Sequence, residues 1–304
     1  MSHTYHAYGL TIRVPFACPA LTPLQAGRAA AAVDVVVAER PVPRRLRAPW
    51  AGEASWEAAP GLFLLRGGPR AGRFLVEAGN VAFERNPGCD DATLARCFTD
   101  QVVAALLRHR GLLVLHASAA ETPAGVIVIG GESGAGKSTT LAALLDRGCR
   151  MHSDDVTALR RGGAPGSVEV LPGAAQTHLT EDAAEGLGVA IDPARLQPWR
   201  RMKAAIPTHD GMASRAGRLA ALYVLRRSRG DDVVVARASG GDKFRVLQEC
   251  MYGPMFTEEH PALFPLMSTV VTTAAFFGLE RPASRWSVGE VADAILGHAA
   301  ELVS

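Results

Sequence analysis

Between Gly125 and Asp155 the chain reads GVIVIGGESGAGKSTTLAALLDRGCRMHSDD, and this stretch restricts the fold more than any other. Val126–Ile129 is an apolar, β-branched run, which predicts a buried strand. Gly131–Ser138 then spells G-x-x-x-x-G-K-[ST], and the helical pattern predicted over Ser138–Arg147 closes at Gly148. Strand, glycine loop and helix in that order are the context a phosphate-binding loop requires. Gly131, Gly134 and Gly136 let the backbone take positive φ, so that successive N–H groups point at an anion. The helix begins at that anion with its positive dipole end. Lys137 adds a point charge for the β- and γ-phosphates, and the Ser138 hydroxyl is a hard oxygen suited to Mg²⁺. The nucleotide contacts expected from the motif are Gly131, Glu132, Ser133, Gly134, Ala135, Gly136, Lys137, Ser138 and Thr139.

Around this loop, 304 residues with 48% hydrophobic content suffice for two domains. Lys plus Arg number 32 against 30 Asp plus Glu, which predicts no general field for nucleic acid or an anionic membrane. No apolar run approaches the ~18 residues of a membrane span, and Met1–Leu10 lacks the pattern of a secretion signal. A cytoplasmic location is expected, with either a monomer or a homo-oligomer open. Cys18, Cys89, Cys97, Cys149 and Cys250 are scattered and show no zinc spacing, so free thiols are expected.

Tyr5–Val14, Ala32–Ala38, Leu62–Leu65 and Phe74–Phe83 read as strands, with the proline-rich Glu39–Pro60 as an irregular connection. The expectation is a small antiparallel β domain over 1–88, followed by a second domain over 89–304. Helix is predicted from Asp91 to Arg110, near Lys243–Met251, over Glu259–Phe277 and over Gly289–Leu302. Short strands are predicted at Leu112–Leu115, Cys149–His152, Val156–Leu159, Val168–Leu171, Leu219–Leu225 and Val233–Ala238. Together these predict an α/β fold, a mixed sheet wrapped by helices. Thr180–Ser214, broken by Pro193, Pro198 and Pro207 and carrying Arg200, Arg201 and Lys203, reads as a helix-poor closing loop.

Asp154–Asp155 follows the predicted strand after the loop's helix, at the edge where α/β sheets bind ligands. Phosphoryl transfer needs a carboxylate for Mg²⁺ and a base for the acceptor's proton, and adjacent carboxylates can divide those jobs. His116, at the end of its own strand, is placed to hydrogen-bond phosphate or an acceptor hydroxyl.

Leu115–His116–Ala117–Ser118, GGESGAGKS and Arg147–Asp155 together resemble the kinase core of the HPr serine kinase family. There a strand-end His, a G-[DE]-S-G-x-G-K-S loop and an Asp-Asp pair occur in that order. The N-terminal YHAYGLTIR, Leu171–Pro172 with Leu179, Lys203 and Leu222–Leu225 also resemble HPr-kinase-like proteins encoded with ribosomally made, modified peptides such as phosphorylated lasso peptides. The resemblance implies a phosphoenolpyruvate-carboxykinase-like P-loop kinase core, ATP and Mg²⁺ as cofactors, and phosphorylation of a serine hydroxyl. It strengthens His116 as a catalytic group and makes Lys203 a second basic contact to phosphate, beside Asp154 and Asp155; Ser138 and one of the two aspartates, Asp155 or Asp154, hold the metal, and the other aspartate is the base. The E-[IV]-R-G-x-G signature of the HPr enzymes finds no match, which moves the expected acceptor from HPr to a peptide or a small hydroxylated metabolite; the alternative from another class is a nucleotide-dependent switch ATPase.

Overall fold

The computed structural model describes residues 2–24, 32–68, 70–192, 196–197, 203–252 and 263–302. The chain divides into two compact units, Met1–Val114 with Tyr252–Phe264, and Leu115–Met251 with Pro265–Ser304.

The first unit carries β1 (His3–Ala7), β2 (Leu10–Val14), β3 (Thr22–Pro23), β4 (Val35–Glu39), β5 (Ala51–Glu53), β6 (Trp56–Ala59), β7 (Leu62–Arg66), β8 (Gly72–Glu77) and β9 (Asn80–Arg85). They form one sheet in the order β3-β1-β2-β4-β9-β8-β7-β6-β5. Two spans expected as single strands are hairpins. Tyr8 and Gly9 (φ 55° and 71°) split the first, and Ala78 and Gly79 (φ 47° and 74°) split the second. Positive φ at both central residues is the tight turn that matches strand twist. The expected all-antiparallel sheet is also corrected, because β4 runs parallel to both β2 and β9. The long links into and out of β4 supply the crossovers that parallel pairing needs. Glu39–Pro60, expected to be irregular, contributes β5 and β6.

The helix expected over Asp91–Arg110 is α1 (Asp91–Cys97), a π-helical turn (Phe98–Val102) and α2 (Val103–His109). Asp90 caps it by accepting from the Thr93 N–H at 2.6 Å. Its inward face joins the first unit: Phe98 packs edge-on to Phe16, which meets Phe83 in the same way, and all three are buried. Compactness therefore divides the chain at Val114 rather than at 88.

β10 (Leu113–Leu115) crosses that division. The second unit then runs β11 (Ser118–Thr122), β12 (Gly125–Gly130), α3 (Lys137–Asp146), β13 (Arg150–Ser153), β14 (Thr157–Arg161), β15 (Val168–Leu171), β16 (Gln176–Thr180), α4 (Glu181–Leu187), β17 (Leu196–Gln197) and β18 (Lys203–Pro207). β19 (Gly217–Ser228), β20 (Val234–Arg237), α5 (Gly241–Glu249), α6 (Leu263–Thr273), β21 (Ala275–Pro282) and α7 (Val288–Glu301) complete it, α6 also spanning the second division. The sheet is mixed: β12, β19 and β21 are parallel, β11 is antiparallel to β12, and β13 is antiparallel to β11. Ile127 and Ile129 of β12 pack with Leu141 and Leu144 of α3 and Val291 and Ile295 of α7, all buried. Each such side chain contributes about 1.5–3 kcal/mol.

Three expectations change here. β21 occupies the end of the segment predicted as one long helix, whose residues 259–262 lie outside the described residues. The predicted closing loop contains α4 and β18, and Arg200 and Arg201 lie outside the described residues. β11 and β16 were not expected at all. All five cysteines are free thiols. Among the described residues no helix is long and apolar enough to cross a membrane.

Candidate active site

β12 is buried from Val126 onward, so the chain leaves the sheet interior at Gly130 and must turn at once. Gly131, Gly134 and Gly136 all take positive φ (134°, 86° and 112°), and a Cβ on Gly131 would lie 2.4 Å from the Leu225 carbonyl oxygen. Gly130 tolerates no side chain either, since its Cβ would come 2.2 Å from Cys250 Sγ. The loop ends at Gly136, whose carbonyl accepts from the Thr140 N–H at 2.8 Å and starts α3. Gly148 (φ 86°) stops that helix, with the Cys149 N–H donated to the Leu144 carbonyl at 3.1 Å.

Lys137 is buried at the helix start and donates from Nζ to the Gly131 carbonyl at 2.8 Å and the Glu132 carbonyl at 3.2 Å. Burial pulls its ammonium below the ordinary lysine range, with Asp155 and Asp154 acting the other way.

The adjacent aspartates occupy different environments. Asp154 is buried and accepts from four donors: Ser118 Oγ at 2.6 Å and Ser138 Oγ at 3.0 Å on Oδ1, Thr177 Oγ1 and the His178 N–H at 3.0 Å each on Oδ2. Burial alone would raise its pKa, but His178, by hydrogen bond and by charge, and then Ser118 outweigh it and hold the carboxyl below the usual range. Asp155 is only partly buried, and its Oδ1 lies 3.1 Å from His116 Nδ1, which also meets the Asp155 carbonyl at 3.3 Å. The Val156 N–H bonds to the Asp154 carbonyl at 2.9 Å, a γ-turn with Asp155 at its centre and φ 73°. For a non-glycine residue that backbone is strained. Thr157, donating to the Ala117 carbonyl at 2.8 Å and sharing a hydrogen bond with Ser153, anchors the turn.

A cavity of about 570 Å³ opens over this group, lined by His116, Ser133, Gly134, Gly136–Thr139, Asp154, Asp155 and Lys203. The structure thus gathers the expected catalytic residues and most of the loop around one space. Gly131, Glu132 and Ala135 border a neighbouring depression instead. Lys203 stands opposite Thr180 in the β16–β18 ladder.

Several lining residues were not expected. Arg227 and Arg281 are register partners at the carboxyl ends of β19 and β21. Arg281 donates from Nε to the Ala135 carbonyl at 2.8 Å, and a Cβ on Gly136 would meet that nitrogen at 3.3 Å. Ser118, Thr177 and His178 hold Asp154 from β11 and β16, strands absent from the expectation. The signal for the arginines was the parallel order of β12, β19 and β21, which sets their ends side by side.

No family model matches the chain, and no curated protein matches it. A solved structure does. The Hpr(Ser) kinase/phosphatase from Coxiella burnetii is 12% identical, over 63% of this chain and 99% of that one, at a TM-score of 0.36. So loose a superposition carries no argument about fold or function.

Gly131, Gly134 and Gly136, all at positive φ, give the loop the backbone that turns successive N–H groups toward a phosphate chain, ahead of the α3 N-terminus. Among the described residues no cluster of three or more His, Cys, Asp or Glu is arranged around a metal. A Mg²⁺ ion asks for less, one or two carboxylates beside phosphate oxygens and water. Ser138 Oγ and Asp154 Oδ1, 3.0 Å apart, are such a pair.

Proposed function

We propose that this protein is an ATP-dependent kinase that transfers the γ-phosphate to a serine hydroxyl of a peptide. The observation that supports the reading is the different setting of two adjacent carboxylates beside the glycine loop, Asp154 buried under four donors and Asp155 next to His116 at the cavity. Ser138 and Asp154 would hold Mg²⁺, which would neutralise charge on the transferring phosphate. The donors on Asp154 favour its ionised form, which suits a group that stays a carboxylate beside the metal rather than one that takes up a proton. Asp155, facing the cavity with His116 behind it, is the better base for the serine proton. The sequence leaves open which aspartate is base and which holds the metal; here the metal goes to Asp154 and the base is Asp155. The serine oxygen forms the new P–O bond, the bond to the β-phosphate oxygen breaks, the proton goes to Asp155, and ADP leaves. Lys137, Arg281 and Lys203 supply positive charge to the phosphates. The peptide as acceptor, of the kind modified in lasso-peptide biosynthesis, comes from the sequence resemblance.

Arg281 beside Gly136 favours a second reading, a hydrolysing switch, because an arginine in cis can drive transfer to water. ADP release measured with and without a serine-containing peptide, with mass spectrometry of the peptide, separates the two. Acceptor-dependent turnover and a phosphoserine are expected for the kinase, and Lys137→Ala should abolish both. Rapid acceptor-independent turnover would establish the switch.

A further inference from the structure

The active-site cavity includes a wall that the phosphate chemistry does not use. It is formed by Asp182 and Ala183 of α4 and by the turn Ala283–Trp286 that follows β21. Trp286 leaves 51% of its surface exposed, among the few large apolar side chains so placed among the described residues. The ring is fitted to its position: a Cβ on Gly186 of α4 would lie 2.7 Å from Cζ2 and 2.8 Å from Cη2. The turn that carries it is fixed as well. The Ala283 N–H is donated to the Ser228 carbonyl at 2.9 Å, and Arg285 is bound to the Asp231 carbonyl at 2.8 Å and to the Glu290 carboxylate. An exposed indole held on a rigid turn in a polar cavity is a surface for a flat aromatic ligand. Apart from the two histidines, it is the aromatic side chain in the described lining.

We propose that Trp286 is the stacking face of a nucleobase subsite, so that the base of a purine nucleotide lies between α4 and the Ala283–Trp286 turn while its phosphates reach the glycine loop past Thr139. This rests on the nucleotide-binding reading above and adds to it where the base sits. It also leaves the part of the cavity beside His116 and Asp155 to the acceptor.

Titration calorimetry of the full chain with Mg-ATP and, separately, with Mg-tripolyphosphate tests it. Tripolyphosphate has the phosphates and no base. Trp286→Ala is expected to weaken ATP binding by about 5- to 150-fold, the range for loss of one base–aromatic stack, and to leave tripolyphosphate unchanged. Trp286→Phe should recover most of the loss, and Gly186→Ala, which pushes a methyl group into the ring, should mimic Trp286→Ala. Unchanged ATP affinity in Trp286→Ala overturns the proposal, as does an equal loss for both ligands. Wild-type protein that binds neither ligand would instead overturn the nucleotide reading on which the proposal stands.

Discussion

Asp154 and Asp155 show how far two neighbouring side chains of one type can be driven apart by a single backbone angle. The positive φ at Asp155 turns the first carboxylate into the Ser118–Ser138–Thr177 pocket and leaves the second beside His116 in the cavity. Replacing each should therefore move stability in opposite directions. An amide at 154 offers one acceptor oxygen to four donors, and leaving buried donors unmet costs about 1–3 kcal/mol each. Asp154→Asn is expected to lower Tm by several degrees, at roughly 2–4 °C per kcal/mol for a chain of this class. Asp155→Gly relieves a strained φ worth about 1–3 kcal/mol and gives up, among other contacts, the 3.1 Å approach of a partly buried carboxylate to His116. It should raise Tm while cutting phosphoryl transfer on the order of 10²-fold or more. Calorimetry with the transfer assay checks both, and a lower Tm in Asp155→Gly would refute the strain.

Among the elements, β12, the glycine loop and α3 were legible because apolar run, glycine spacing and helix stop agree in one short window. β15 was read to the residue for the same kind of reason, a bounded run of β-branched and apolar residues. β11 was not, since Ser118–Thr122 is built of small residues whose burial comes from its two neighbours rather than from its own pattern. The start of β21 was absorbed into a predicted helix because Ala275–Phe277 is apolar on every residue and has no period. The candidate site divides accordingly: the loop, His116 and the aspartates were named from the sequence and lie together in the structure, while the hydrogen-bond partners of Asp154 and the arginines of β19 and β21 depended on strand order. One buried group makes the β13 element acid-sensitive. His152 is fully buried, and burial lowers its pKa, with Glu121 acting weakly the other way. The unfolded chain therefore binds that proton first, so stability is complete above about pH 6.5 and falls as pH drops below it. Asp154, whose pKa is also lowered, adds its own loss only below about pH 4. Denaturant melts across pH 7 to 5 should show the slope in the wild type and its loss in His152→Leu, and an equal slope in both would exclude His152.

Across the whole molecule, the nearly balanced charge gives no reason to expect salt-dependent association with polyanions. The consequential feature is the division at Val114. A fragment of residues 89–304 begins with α1 and α2, whose Leu94, Phe98 and Val102 are buried in the full chain, but lacks Phe16, against which Phe98 packs. It should aggregate or bind a hydrophobic dye where the full chain does neither, and light scattering of the purified fragment reads this; a monodisperse fragment would place the helices elsewhere. The first unit is also closed by a residue from far along the chain. Tyr252 accepts from Arg108 Nη1 at 2.8 Å, donates its hydroxyl to the Asp100 carbonyl at 3.0 Å, and donates its N–H to the Val114 carbonyl at 3.0 Å. During translation, then, the N-terminal sheet and helices emerge early and wait. The ribosome takes on the order of ten seconds to supply the stretch from Leu115 to Met251 at ordinary elongation rates. Until Tyr252 leaves the exit tunnel, Arg108 and Asp100 lack these partners, so the nascent N-terminal unit is the part of this protein most exposed to chaperones.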